Sequence, residues 1–260
     1  MGRFGVSQSQ KNTMIVYANS CSFGAPGQGH AIYPEVIAQH YQADLINAGR
    51  PASCNRRIIR TTVRDLIEIK KQSNDILCLL GLSFISRTEL WQPSIPAVDN
   101  DGNFHPLSVD HRRFDWSQGL VFTQIPNIHE YADPTVKDYY KQWLLHMSKE
   151  AIITDLLTDI LMLQGFCQYH SIKILIWSNA QVWPGAPEVS VVDLFLSSLV
   201  KEVADSKNVI DPWTFCFLDY ARSLGHTFKD QDIYGFTGHP DETSHVDFGK
   251  HLINRLKGIL

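Results

Sequence analysis

The sequence predicts an α/β protein, a three-layer α/β/α sandwich built on a parallel sheet. Strand and helix signals alternate along the 260 residues, as expected for repeated strand, crossover helix and strand units with right-handed connections. Two strand-like runs, 75–82 and 173–180, are apolar at nearly every position. Such continuous apolar runs are typical of parallel strands that are covered by helices on both faces.

Local patterns place the other elements between these two strands. Pro34 suits the first turn of a helix, and Asn55 is a good N-cap for a helix whose apolar residues recur with a 3.6-residue period. In chain order we predict a strand at 14–19, a helix at 34–42, a strand at 43–49, a helix at 55–72, a strand at 75–82, a helical region at 135–168 that breaks near Ser148, a strand at 173–180, a helix at 191–204, a weak edge strand at 208–213 and a C-terminal helix at 245–260.

We predict a single domain over residues 1–260, because no linker or repeat divides the chain. Residues 1–13 are polar and are expected to form a flexible tail. Residues 84–134 are rich in Pro, Asp, His and aromatic residues and lack a sustained period. A connection of this length is usually functional, so we interpret it as an insertion or a lid.

Composition excludes several classes of partner. The net charge is -4 and basic residues form no cluster, so neither nucleic acid nor a membrane surface is expected as a partner. No apolar run is long enough for a transmembrane helix, and the N-terminus lacks the apolar core of a signal peptide. The five cysteines are widely spaced and never form CxxC, which favours reduced thiols in the cytoplasm over disulfides or a zinc site.

Polar and glycine-rich segments follow the predicted strands. Ligands bind beyond the carboxyl ends of the strands in open parallel sheets. The segments found there are SCSFGAPG, GRPASCN, GLSFISR and SNAQVW. They offer hydroxyl, amide and guanidinium groups, which suit acyl transfer to a nucleophile with an oxyanion site. The alternative is that Ser, Gly and Asn are ordinary loop residues.

A general base is available near the C-terminus. His239 precedes Pro240 in a glycine-containing loop, and His245 follows at the start of the last predicted helix. A histidine at a helix start often serves packing and capping, so His239 is the better candidate for a proton acceptor.

In their order, these motifs resemble the SGNH (GDSL-type) hydrolase superfamily. SCSFG at 20–24 resembles the Gly-Cys-Ser-Phe-Thr block of one branch, and YP follows at 33–34. NAG at 47–49 and ASCNRRI at 52–58 resemble the second block of that branch. The resemblance implies a flavodoxin-like sheet and a serine hydrolase.

The resemblance also assigns roles to individual residues. Ser22 would be the nucleophile and His239 the general base, while the backbone N–H groups of Ser22 and Ala52 would bind the oxyanion. The family aspartate lies three residues before the histidine, where this chain has Phe236. Asp232 or Asp230, or else a backbone carbonyl, would then orient His239.

The third strand departs from the family pattern as well. The family has Gly-x-Asn there, and this chain has Gly81-Leu82-Ser83. The third oxyanion donor would be Ser83, with Asn55 or Arg87 as alternatives. His245 is retained as a rival base or a substrate-binding residue.

Three residues of the first block compete as nucleophile. A GDS-type alignment fits Ser20, whereas the Gly-Cys-Ser-Phe alignment fits Ser22 and also accounts for the later matches. Cys21 is intrinsically more nucleophilic, but strand alternation predicts that it is a buried packing residue.

Two other constellations are weaker. The histidines at 105, 111, 239 and 245 and Asp110 lack the tight spacing of a metal site, so no metal is expected. The aromatic residues Trp91, Phe114, Trp116 and Phe122 either line a substrate pocket or anchor the insertion.

The sequence therefore favours a cytoplasmic serine esterase or deacylase without a cofactor. Its expected partner is a small-molecule or glycan ester, and its oligomeric state is left open. One alternative is an acyl- or other group transferase on the same scaffold. The other is a non-catalytic ligand-binding module, which Phe236 and Ser83 favour.

Overall fold

The computed structural model describes most of the predicted sheet and its flanking helices. The described residues are 13–27, 29–51, 53–85, 87–93, 120–125, 138, 141–143, 145–146, 149–180, 194–211, 215–226, 228–229 and 239–260. The strands are β1 (Ile15–Ser20), β2 (Asp44–Asn47), β3 (Ile76–Leu82), β4 (Thr88–Pro93), β5 (Leu120–Ile125), β6 (Lys173–Ser178), β7 (Phe228–Lys229) and β8 (His239–Pro240). The α-helices are α1 (Tyr33–His40), α2 (Asn55–Lys70), α3 (Lys149–Tyr169), α4 (Leu194–Ala204), α5 (Phe217–Ser223) and α6 (Glu242–Leu256).

Four strands form the central parallel sheet in the order β2-β1-β3-β6. Val209 bridges to Ile176 in parallel beside β6, so the described part of the predicted edge strand at 208–213, residues 208–211, contains a single bridge. The strand order is that of flavodoxin-like sheets. The predicted three-layer α/β/α fold is therefore confirmed.

Two apolar cores lie on opposite faces of this sheet. Alternating residues of each strand point to opposite faces, so Tyr17 and Leu80 pack with α2, α3 and α4, whereas Val16 and Leu79 pack with α1, α5 and α6. Every residue of β3 is buried, which explains why its sequence is apolar throughout.

The structure adds elements that the sequence did not predict. β4 and β5 pair antiparallel within the predicted insertion, with Trp91 opposite Phe122 in the register, while Phe114, Trp116 and the histidines of that segment lie outside the described residues. α5 and the short β7–β8 pair were also missed. Among the residues that the structure describes, no helix is long and apolar enough to cross a membrane.

Candidate active site

Ser22 begins a short 3₁₀ turn, Ser22–Gly24, directly beyond the carboxyl end of β1. Cys21 is still extended, with φ -80° and ψ -159°, and the turn closes when the Gly24 N–H donates to the Cys21 carbonyl at 3.1 Å. β1 is an inner strand, between β2 and β3. The turn therefore lies at the carboxyl edge of the sheet, away from the sheet's sides. Ser22 is partly exposed there.

Ser20 and Cys21, the two rival nucleophiles, are buried. Ser20 is 2% exposed, and its hydroxyl donates to the Cys21 carbonyl at 3.0 Å. Cys21 is fully buried, as alternation predicted, and its Sγ lies 3.8 Å from Asn179 Nδ2. Of the three candidates, Ser22 alone is in a position to meet a solvent-borne substrate.

His239 lies beside the turn that carries Ser22. It is the first residue of β8, whose partner in β7 is Lys229. The His239 ring is partly exposed and lies 5.5 Å from the ring of Phe23, the residue after Ser22. The fold thus brings His239 to the end of β1, although the two are far apart in sequence.

His245 occupies a different, buried place in the first turn of α6. It is 1% exposed and stacks on Tyr33, with ring centroids 5.7 Å apart, and its ring lies 5.5 Å from that of His30. Burial lowers the pKa of His245 to about 3, and the nearby His30 acts in the same direction. Its Nδ1 has no hydrogen-bond partner among the described residues. His245 is therefore a neutral core residue at neutral pH.

Asn55, Ser83 and Arg87 form one connected group. The Ser83 N–H donates to Asn55 Oδ1 at 2.6 Å, and Asn55 Nδ2 donates to the Ser83 carbonyl at 2.9 Å. Arg87 Nη1 donates to Ser83 Oγ at 3.0 Å. The side chain of Asn55 therefore ties the start of α2 to the end of β3.

This pairing corrects the prediction that Asn55 is the N-cap. The N-cap is Cys54, whose Sγ accepts a hydrogen bond from the Arg57 N–H at 3.4 Å. Asn55 is the first residue of the helix, because its amide is engaged with β3 instead of with the helix backbone.

Three residues with predicted roles, Ala52, Asp230 and Asp232, fall outside the described part of the chain, and so does Phe236. Their roles as oxyanion donor and histidine partner stay predictions.

A buried asparagine that was not predicted, Asn179, lies against Cys21, the residue before the Ser22 turn. The side chain of Asn179, which follows β6, accepts from Trp177 Nε1 at 3.0 Å and contacts Cys21. A Cβ on Gly81 would lie 2.5 Å from Asn179 Nδ2, so only glycine lets this side chain cross over β3. The sequence signal for this residue was its place in SNAQVW, directly after a predicted strand.

A pocket of about 370 Å³ adjoins the Asn55–Ser83 group. Asn55 and Arg87 line it together with Trp143 and Asp159. Burial raises the pKa of Asp159, while the neighbouring Arg56 opposes that rise. The volume is in the range of small-molecule sites.

No cluster of three or more His, Cys, Asp or Glu among the described residues could hold a metal ion. The metal candidates His105, Asp110 and His111 lie outside the described residues.

Fold and site together define an α/β/α sandwich whose polar residues gather at the carboxyl ends of a flavodoxin-like parallel sheet. The chain belongs to a family of unknown function (DUF6071), whose family model matches residues 26–184. That range includes Asn55, Ser83 and Arg87 but neither Ser22 nor His239.

Two solved structures are similar to this chain at low identity. One is a candidate lipolytic protein of the G-D-S-L family from Desulfitobacterium hafniense DCB-2, with 11% identity, a TM-score of 0.45, and coverage of 94% of this chain and 99% of that one. The other is a candidate acylhydrolase from Bacteroides fragilis NCTC 9343, with 9% identity, a TM-score of 0.39, and coverage of 96% and 90%. A search of curated protein sequences finds no match.

Proposed function

We propose that this protein is a serine esterase or deacylase that acts on a small ester or an O-acylated carbohydrate. The observation that carries the proposal is the placement of the partly exposed Ser22 beyond β1 with the His239 ring against the next residue, Phe23. A nucleophile and a base at adjacent positions are the minimum that acyl transfer requires.

In this mechanism Ser22 Oγ attacks the ester carbonyl carbon while His239 accepts the hydroxyl proton. His239 then returns that proton to the departing alcohol, which leaves an acyl-enzyme on Ser22. A water molecule attacks the acyl group, with His239 again as base, and releases the acid and free Ser22. Asp232 is proposed to orient the imidazole.

The negative charge on the carbonyl oxygen needs donors. The backbone N–H groups of Ser22 and Ala52 are proposed for the first two. The Ser83 N–H is already committed to Asn55 Oδ1. The third donor is therefore assigned to the Asn55 amide, which has a second N–H besides the one given to Ser83, or to the Ser83 hydroxyl.

The test is hydrolysis of p-nitrophenyl acetate by wild type, Ser22→Ala and Ser20→Ala. We expect Ser22→Ala to lower the turnover rate by about 10⁴-fold or more. Ser20→Ala is the matched control, because it removes a buried hydroxyl from the end of β1, two residues before Ser22, and it should keep most of the activity. A fluorophosphonate probe should label the wild type on the peptide that contains Ser22.

Other outcomes contradict the proposal. Turnover that requires an added alcohol acceptor would identify a transferase. A wild type that neither hydrolyses the ester nor takes the label, yet binds acylated glycans, would identify a binding module. Loss of activity in Ser20→Ala but not in Ser22→Ala would reassign the nucleophile.

A further inference from the structure

The pocket of about 370 Å³ beside Asn55 is close to the proposed nucleophile in the sheet. Ser20, at the end of β1, pairs with Gly81 of β3, so Ser22 and Ser83 each lie two residues beyond a paired position on neighbouring strands. Such strands are about 4.8 Å apart. Asn55 is bonded to Ser83 and also lines the pocket. The pocket is therefore on the β3 side of the Ser22 turn.

Part of the pocket is formed by one face of α3. Its residues Ile152, Asp155, Leu156 and Asp159 recur at the three- and four-residue spacing that places side chains on one face of a helix. Asp155 and Asp159 are thus one turn apart, close enough for their charges to interact. A carboxylate has about four acceptor positions. Each aspartate therefore offers acceptors to a ligand, even with the charge of Arg56 near Asp159.

Other residues of the lining supply donors and an aromatic surface. Arg56, in the first turn of α2, and Arg87, after β3, contribute guanidinium groups, and Trp143 contributes its indole. Arg87 is held in place, because its Nη1 donates to Ser83 Oγ at 3.0 Å and its guanidinium carbon lies 4.8 Å from the centre of the Phe84 ring. A guanidinium has five N–H groups, so Arg87 has donors beyond the one given to Ser83.

The charges of this lining balance. The two guanidinium groups of Arg56 and Arg87 accompany the two carboxylates of Asp155 and Asp159, so the lining selects neither an anion nor a cation. A neutral ligand that satisfies both sets must offer donors and acceptors close together. Adjacent hydroxyl groups do so, because each hydroxyl both donates and accepts. The indole of Trp143 adds a large apolar surface beside these polar groups.

An acyl chain fits the same lining poorly. Among the described residues that form the pocket, only Ile85, Ile152 and Leu156 have aliphatic side chains. An apolar chain would displace water from the charged groups without replacing the lost hydrogen bonds, which costs free energy. The volume is also near the lower end of the range for small-molecule sites, which suits one sugar residue better than an extended chain.

From this composition we infer that the pocket binds a neutral sugar residue. Asp155 and Asp159 accept hydrogen bonds from its hydroxyl groups, and Arg56 and Arg87 donate to its oxygens. Trp143 packs against one face of its ring. Sugar binding does not depend on the proposed function. The further assignment of this sugar as the alcohol half of the ester does rest on the proposed function.

Saturation-transfer NMR of the full chain with the methyl glycosides of glucose, galactose, mannose and xylose tests the inference. We expect saturable binding of at least one glycoside, which sodium hexanoate, a short acyl chain, does not displace. Asp155→Ala and Asp159→Ala should each weaken it by tenfold or more. Glu150→Ala is the matched control, since it removes a carboxylate from α3 outside the pocket lining, and it should bind like wild type.

Two further measurements separate contact from folding and binding from catalysis. Trp143→Phe should retain more of the binding than Trp143→Ala, while the circular dichroism spectra of both stay native. Asp159→Ala should also raise KM at least tenfold for a mono-O-acetylated form of the preferred glycoside, because the sugar is the alcohol half. An unchanged KM would overturn that assignment.

The inference and the proposed function fail in different ways. If the wild type hydrolyses p-nitrophenyl acetate but binds none of the four glycosides, the inference is wrong and the proposed function is unaffected. If it binds a glycoside but hydrolyses no ester, the inference is supported and the proposed function is contradicted. Displacement of the glycoside by hexanoate, or equal weakening in Asp159→Ala and Glu150→Ala, would also overturn the inference.

Discussion

His245 shows how a single residue acquires its properties from distant parts of the chain. Its ring is packed between Tyr33 of α1 and Phe217 of α5, with centroids 5.7 Å and 5.1 Å away. The ring of His30, three residues before Tyr33, lies 5.5 Å from it. Within the described part of the chain, no polar group forms a hydrogen bond with Nδ1 to compensate its desolvation. The imidazole is therefore held in its neutral form.

This burial predicts acid sensitivity. The pKa of His245 is about 3 in the folded protein because of burial and of repulsion from His30 and His239, which outweigh the attraction of Asp241, whereas an unfolded histidine titrates near 6.5. Between these values the unfolded chain binds the extra proton. Stability is thus present above about pH 6.5 and is lost as the pH falls, at up to about 1.4 kcal/mol per pH unit.

Urea unfolding at pH 7, 6 and 5 measures this loss. His245→Gln should make the free energy of unfolding fall less steeply with acid than in wild type. Part of the slope should remain, because burial and Arg255 also lower the pKa of His251. The exposed His40→Gln is the control and should keep the wild-type slope. An unchanged slope in His245→Gln would contradict the prediction.

Gly81 is a residue whose identity is dictated by a neighbour from another strand. We predict that Gly81→Ala destabilises the fold by about 1–3 kcal/mol, because its methyl group would overlap the Asn179 amide. Gly165→Ala should instead stabilise it by about 0.5–1 kcal/mol, since no atom within 4 Å opposes a Cβ in the interior of α3. Thermal unfolding of both variants checks the opposite signs, and equal signs would be evidence against this packing.

At the scale of elements, α2 and β3 are joined by the paired hydrogen bonds between Asn55 and Ser83. We predict that Asn55→Ala lowers the free energy of unfolding by about 1–3 kcal/mol, because the Ser83 N–H and carbonyl would both lose their buried partner. Asn254→Ala, at an exposed site on α6, should change it by less than about 0.5 kcal/mol. Urea titration compares them, and similar losses in both variants would refute the pairing.

Elements with a strong local pattern could be predicted from the sequence. β3 and β6 were predicted because both are continuous apolar runs, and α2 because its buried residues follow a helical period. α5 is only 7 residues long, too short for a helical period to show. β4 and β5 pair across a long intervening segment, so no turn signal marked them as a hairpin.

The candidate site could be predicted only in part, because topology fixes where its loops lie but does not fix their side-chain contacts. Loops after parallel strands converge on one edge, so Ser22 and Ser83 were predictable from topology alone. The Asn55–Ser83 pairing and the Tyr33–His245 stack depend on side chains that are distant in sequence. Local propensity carries no information about such contacts, which is why Asn55 was wrongly predicted to be an N-cap.

Over the whole molecule, the cysteines report on the integrity of the two cores. All five are free and buried. Burial raises the pKa of Cys167 and of Cys216 to about 12, and it raises that of Cys78 as well. Thiolate is the reactive form. Burial therefore opposes modification of all five thiols in the native state, and the raised pKa adds to this at Cys78, Cys167 and Cys216.

We therefore predict that an aromatic disulfide reagent at pH 8 labels the native protein only as fast as the protein opens. All five thiols should react at once after denaturation in guanidinium chloride. Absorbance of the released thiolate measures both rates. A thiol that reacts rapidly in the native protein would contradict the packing, and identification of that thiol as Cys21 would revive it as a nucleophile.

The order of the segments around the Ser22 turn has a consequence for synthesis of the protein. β1, β2 and β3 all come from residues 15–82, so most of the central sheet can pair while the ribosome is still translating the rest. His239 and α6, which packs against α1, emerge more than 150 residues after β3. On the proposed assignment, a nascent chain displays its serine long before its base, and hydrolysis can begin only after the segment that carries His239 has been translated.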